Sequence, residues 1–188
     1  MLSDVEQLGV DLIVSCGGLS WGPEPERTVQ LARALGSRAV FVRGNGDRAV
    51  VELTRGGREP ERPRDGWMCE RHSPAAVEFV AAFPFTAIVD VRGLGAVQFG
   101  HGSPRSDTEL LNPGSVGLPY HDGPPGTAYW ALLGPDVELR QTRYRVEEAV
   151  RRCLDAGDPS AEVITRLLLA PPTVDEVIRH AEAAQFSD

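Results

Sequence analysis

The sequence predicts an α/β fold, a two-sheet β-sandwich flanked by helices. It reads as a single domain over residues 1–188, with a helical C-terminal extension over about 146–188. Three observations lead there. The first quarter alternates helix, strand, helix, strand, an order that builds a sheet with parallel pairing. The middle carries pairs of short apolar runs joined by Gly- and Pro-containing turns, as antiparallel hairpins do. The last part shows helical periodicity alone.

Element by element, Met1 to Leu8 reads as the end of a helix stopped by Gly9. Asp11 to Ser15 is a short buried strand, and Cys16 to Pro25 a Gly/Pro-rich loop. Glu26 to Leu35 is a helix packing through Val29, Leu31, Ala32 and Leu35, with Gly36 as its stop. Ala39 to Val42 is a second buried strand, leading into the tight loop Arg43 to Asp47. Thr54 to Gly66 is polar and rich in turn residues, hence a surface loop. Ser73 as N-cap and Pro74 at the first helical position open a helix to about Ala82. Phe85 to Val91 and Ala96 to Phe99 form an antiparallel pair. Leu110-Leu111 is a strand remnant, and Thr127 to Leu133 with Val137 to Tyr144 make a hairpin. Helices follow at about Val146 to Ala156, Ser160 to Leu169 and Val174 to Ala184, the last with Thr173 and Glu176 in capping-box spacing.

A net charge of −8 repels polyanions, so general nucleic-acid binding is not expected, whereas a phosphate-containing small molecule could still meet a local basic spot. All 19 basic residues are Arg, which reads as codon usage more than chemistry. Cys16, Cys69 and Cys153 are odd in number and far apart, pointing to a reducing cytoplasm and to neither a disulfide framework nor a zinc knuckle. No apolar stretch approaches the roughly 20 residues of a membrane span, and Met1 to Val10 lacks the features of a signal peptide. A cytoplasmic protein without membrane contact is expected. The histidines His72, His121 and His180 read as surface residues, and Trp21, Trp67 and Trp130 as packing residues.

Four Gly-rich loops each follow an apolar run, at Gly17-Gly18, Gly44 to Asp47, Gly100 to Pro104 and Asn112 to Gly117. Sites in α/β sheets sit at such strand ends. Taken singly, each loop is a turn made of turn residues. In this order they resemble the calcineurin-like metallophosphoesterases, particularly the small bacterial phosphodiesterase branch. That family shows D-x-H after its first strand, then G-D, G-N-H-D, an H-G loop, G-H-x-H and N-P-G-S-V-G. Here DLIVSCGGLSWGPEP is similar to the G-D segment, VRGNGDRAV to the G-N-H-D segment, and VQFGHGSPRSD to the H-G loop. NPGSVGLP is similar to the closing motif. The likeness runs roughly from Leu8 to Arg152.

The resemblance implies a centre of divalent transition metals (Mn, Fe or Zn) that clamps a phosphoryl group and makes a hydroxide nucleophile. It also implies that this chain is truncated and its metal site degenerate. Nothing before Asp11 supplies D-x-H, the bridging Asp position falls on Gly18, the catalytic His position falls on Gly46, and G-H-x-H is missing between Asp107 and Leu110. Asn45 and His101 match metal ligands, and Asp47 a loop-supporting position. Gly18, Gly44, Gly46, Asp47, Gly102, Asn112 and Gly114 make up the site loops. Two neutral ligands are too few for a tight transition-metal site, so metal binding is expected to be weak or absent. Ser103, His101 and Asp107 lie too close in one loop, with no nucleophile elbow, to form a catalytic triad. The expected function is an inherited metal-dependent hydrolysis of phosphomonoesters or phosphodiesters, inactive or very weak in this chain. The alternatives are a non-catalytic binding or assembly module that uses the glycine loops as an anion nest, or a functionless gene fragment. A strand Asp11 to Ser15 without its family neighbour leaves an open edge, which predicts possible self-association.

Overall fold

A computed structural model of the protein describes residues 2–102, 110–118 and 123–185. Helix α1 (Leu2–Gln7) precedes strand β1 (Ile13–Ser15), and helix α2 (Pro25–Ala34) crosses over to strand β2 (Ala39–Phe41). The two strands are parallel, with Ile13 opposite Ala39 and Ser15 opposite Phe41. Three helices follow, α3 (Asn45–Thr54), α4 (Pro63–Glu70) and α5 (Pro74–Ala81). Ser73 caps α5 by accepting from the Ala76 amide at 3.2 Å, as its sequence position predicts.

The core forms where α2 and α5 close over β2. Val29, Ala76, Val80 and Phe83 are buried there, with Leu19, Phe41, Val51 and Phe79 packed around them. Phe41, Phe79 and Phe83 interlock with ring centroids 5.1–5.5 Å apart, one pair stacked and two edge-on. Truncating a ring in such a cluster costs about 3–5 kcal/mol. This cluster fixes β2, and the chain leaving β2 enters the candidate site.

Two hairpins follow. Strands β3 (Thr86–Val91) and β4 (Gly95–Gly100) pair antiparallel with Thr86 opposite Gly100, and β5 (Thr127–Leu133) and β6 (Val137–Arg143) with Thr127 opposite Arg143. Their turns abut: a Cβ on Gly93 would lie 2.6 Å from the Pro135 carbonyl oxygen. Helices α6 (Val146–Asp155) and α7 (Ala161–Leu169) pack through Cys153, Ala161 and Ile164. Helix α8 (Val174–Gln185) opens on the expected capping box: Glu176 accepts from the Thr173 amide at 2.8 Å, and its own amide donates to the Thr173 hydroxyl at 3.2 Å. No helix among the described residues is long and apolar enough to cross a membrane.

Several expectations are corrected. The strands pair only two by two among the described residues, giving three two-stranded sheets where two larger ones were expected. The physical reason lies in β1 and β2: at three residues each they are too short to build a broad face, and helices α2 and α5 pack on β2 through Phe41. Helix α3 begins inside the segment read as the tight loop Arg43 to Asp47, because Gly44 serves as its N-cap and Asp47 sits at its third position. Helix α4 lies across the end of the segment read as a surface loop. Pro63 at its first position and Asp65 in its first turn are start signals that the neighbouring glycines and charges masked. Leu110-Leu111 is not a strand. His72 is buried, not exposed, with Nδ1 2.8 Å from the Met68 carbonyl oxygen.

Candidate functional site

Three strand ends converge. β1 runs out into Cys16 to Ser20, β2 into Gly44 and the start of α3, and β4 into His101. Gly17 and Gly44 let the first two loops touch: a Cβ on Gly17 would lie 2.7 Å from the Gly44 Cα and 2.6 Å from His101 Nδ1. Any larger residue at either glycine would drive the loops apart.

Asp47 ties this junction together. One carboxylate oxygen accepts from the backbone amides of Gly18 and Gly44, both at 2.8 Å. The other accepts from the Ser20 amide at 2.9 Å and the Ser20 hydroxyl at 2.8 Å. Asp47 and Ser20 are fully buried. Backbone amides aimed at an ionised acceptor form the stronger class of hydrogen bond, and the carboxylate also sits at the positive end of α3. The amides of the glycine loops therefore converge on an anion that is the protein's own carboxylate.

His101 and Asn45 meet above this clip. His101 Nδ1 lies 2.7 Å from the Cys16 carbonyl oxygen, and Nε2 lies 3.1 Å from Asn45 Oδ1. A carbonyl only accepts, so Nδ1 carries a proton and donates it. The neutral ring then offers its lone pair at Nε2, the tautomer and orientation that a backbone acceptor imposes on metal-binding histidines. The Asn45 amide can meet this lone pair with an N–H, after rotation about its last side-chain bond, or with its oxygen when the two share a cation. The 3.1 Å spacing suits neighbouring ligands on one cation with bonds of about 2.0–2.2 Å. The pair thus fits one edge of a coordination sphere. The rest of the sphere does not fit: among the described residues no group of three His, Cys, Asp or Glu side chains could hold a metal ion. Asp47 is engaged by four donors. The thiol of Cys16 is exposed by area, yet the atoms crowding it raise its pKa by desolvation, so it stays protonated near neutral pH.

The two glycines that the resemblance sets at the bridging-Asp and catalytic-His positions, Gly18 and Gly46, differ. A Cβ on Gly18 would have His101 Cε1 at 3.8 Å as its sole neighbour within 4 Å, so that direction opens beside the histidine. The Gly18 φ of +74° strains any other residue there. A Cβ on Gly46 would fall 2.7 Å from the Cβ of Trp21 and 3.2 Å from its Cγ. Trp21 has taken that space.

The structure thus brings together Gly18, Gly44, Gly46, Asp47, Asn45 and His101. Gly102 is exposed, and a Cβ on it would meet nothing within 4 Å. Asn112 and Gly114 form a turn of their own: Asn112 Oδ1 accepts from the Gly114 amide at 3.0 Å, and Gly114 lies against Tyr129 of β5. Ser103, Asp107 and His121 lie outside the described residues. Sequence reasoning missed the parts played by Ser20, Arg64 and Asp158. Arg64 and Asp158 are 94 residues apart, and no short-range pattern links them.

In comparisons with known proteins, the chain is similar to the crystal structure of a metallophosphoesterase from Sphaerobacter thermophilus. The TM-score is 0.60 at 19% identity, covering 88% of this chain and 90% of that one. At that identity the likeness shows the fold alone. No protein-family model matches, and no curated protein does.

Proposed function

We propose that this chain is a metallophosphoesterase with a depleted metal centre. Its ancestral reaction is the metal-dependent hydrolysis of a phosphomonoester or phosphodiester, and it is itself inactive or very weak. The three two-stranded sheets correspond in this reading to reduced parts of the family's two-sheet sandwich. The observation that carries the reading is the facing of His101 Nε2 and Asn45 Oδ1 at 3.1 Å, at the converging ends of β1, β2 and β4, beside a Gly18 that opens onto the histidine. Two neutral donors leave the charge of a dication uncompensated. A two-metal clamp needs bridging and flanking carboxylates, and the described residues do not supply them. No catalytic step is therefore assigned to a metal here. The reading is tested by hydrolysis of an aryl phosphodiester and an aryl phosphomonoester with added manganese, comparing the protein with its His101→Ala variant. Equal background rates are expected. Robust metal-stimulated turnover that disappears in His101→Ala contradicts the reading.

Self-association is a second reading, favoured by Phe85 and Ile88, which are 72% and 71% exposed on and beside a hairpin that pairs only with itself among the described residues. A second copy of the chain is the proposed partner. Light scattering across a hundredfold concentration range should show the mass rising with concentration, and a constant monomer mass speaks against it. An external phosphate at the glycine loops is disfavoured, because Asp47 already occupies the amides of Gly18 and Gly44.

A further inference from the structure

The side chain that fills the space at Gly46 is itself held from the far end of the chain. Arg64, near the start of α4, donates from Nη2 to the Trp21 carbonyl oxygen at 3.1 Å, and its guanidinium lies 5.5 Å from the centre of the Trp21 ring. The same guanidinium faces Asp158, in the turn between α6 and α7, with Nε 3.0 Å from Oδ1 and Nη2 2.8 Å from Oδ2. The Asp158 side chain is completely buried, and that of Arg64 is 15% exposed. Asp158 Oδ1 also accepts from the Ser160 amide at 2.8 Å, which fixes the start of α7. Exposed ion pairs such as Arg55–Glu78, with half or more of each side chain in water, hold little. The Arg64–Asp158 pair is of another kind, forked, largely dry and geometrically specific.

We propose that the α6–α7 helical pair acts as a strap: through Asp158 and Arg64 it presses Trp21 onto Gly46 and so keeps the Cys16-to-Trp21 loop seated on Asp47, beneath the exposed Asn45–His101 pair. The planar guanidinium suits this task, since its edge can meet a carboxylate while its face lies over an aromatic ring. Trp21 follows directly on Ser20, whose amide and hydroxyl bind Asp47, and Gly46 directly precedes Asp47. Moving Trp21 therefore loosens the clip from both sides. The family reading matters here only for what once stood at Gly46; the coupling rests on the contacts themselves, and its test does not use phosphoesterase activity.

The test is amide hydrogen exchange on the full chain, comparing Asp158→Asn and Arg64→Lys with the control Arg55→Gln. Asn keeps an acceptor for the Ser160 amide but loses the charge, and Lys keeps the charge but loses the fork. Both strap variants are expected to speed exchange at the Gly18 and Ser20 amides at least tenfold while leaving the β5–β6 ladder unchanged. Unchanged rates at Gly18 and Ser20, a rise spread evenly along the chain, or an equal rise in Arg55→Gln each overturn the proposal. Should Asp158→Asn not fold, Arg64→Lys alone decides.

Discussion

Removing the Asp47 carboxylate should unlock the site loops at a cost that follows from its partners. In Asp47→Ala the amides of Gly44 and Ser20, both at buried residues, lose their acceptor, and the partly exposed Gly18 amide turns to water. An orphaned buried donor costs about 1–3 kcal/mol. Two of them, with the lost charge at the start of α3 adding about 0.5 kcal/mol, give about 2.5–6.5 kcal/mol. That is a large share of the roughly 5–15 kcal/mol that holds a domain folded. Asp47→Asn keeps the shape and one acceptor oxygen, and the Ser20 hydroxyl can rotate to accept from the new amide group. Its cost should be about 1–2 kcal/mol, near that of one orphaned donor. Urea unfolding followed by circular dichroism gives both values, provided the slope with denaturant stays that of the parent protein. The reasoning fails if Asp47→Ala costs less than about 1 kcal/mol, or if Asn is as damaging as Ala, since then the four hydrogen bonds would not be what joins the loops.

Three further outcomes are expected. The double variant Gly18→Asp with Gly46→His should not restore phosphodiesterase turnover, and Gly46→His should cost about 1–3 kcal/mol by overpacking against Trp21; turnover well above the parent protein would refute this. Replacing Trp21 by Ala should recover most of the stability lost in Gly46→Ala, a coupling that a double-mutant cycle reads directly. The Glu26 carboxyl is held below its usual range, chiefly by the Ser73 amide and also by the Ser73 hydroxyl. Its contribution to stability is therefore fully present above the ordinary carboxyl value of 4.5 and is lost as pH falls through the depressed value. Glu26→Gln should flatten that acid limb of a melting-temperature profile, and an unchanged limb would remove Glu26 from the account.

The alternation of short apolar runs with turn residues made most of the elements legible. β1, β2, the two hairpins, and α2, α5, α6, α7 and α8 lie where period and caps place them. What failed was local punctuation under competing signals. Arg43 to Asp47 has the composition of a turn, and a glycine serving as N-cap cannot be told from a turn glycine without seeing Asp47 reach back to the Gly44 amide. The sheets were expected to be larger than they are because apolar three-residue runs look alike whether sheets or helices cover them. At the site, His101 and Asn45 were legible as a pair through a family likeness, which no spacing rule provides for residues 56 positions apart. The strap was not legible at all: Trp21, Arg64 and Asp158 are an aromatic, a cation and an anion in a chain full of the latter two, and tertiary packing alone selects them.

The depleted-centre account is tested most directly by elemental analysis of the dialysed protein beside His101→Ala. A complete two-metal centre would retain about two equivalents of manganese, iron or zinc. Asn45 and His101 offer no negative charge, and a dication held by them alone keeps most of its water and dissociates on dialysis. The account predicts less than about 0.1 equivalent of each of these metals in both proteins. Near two equivalents in the parent protein, lost in His101→Ala, would contradict it and place this chain among working metal-dependent phosphoesterases.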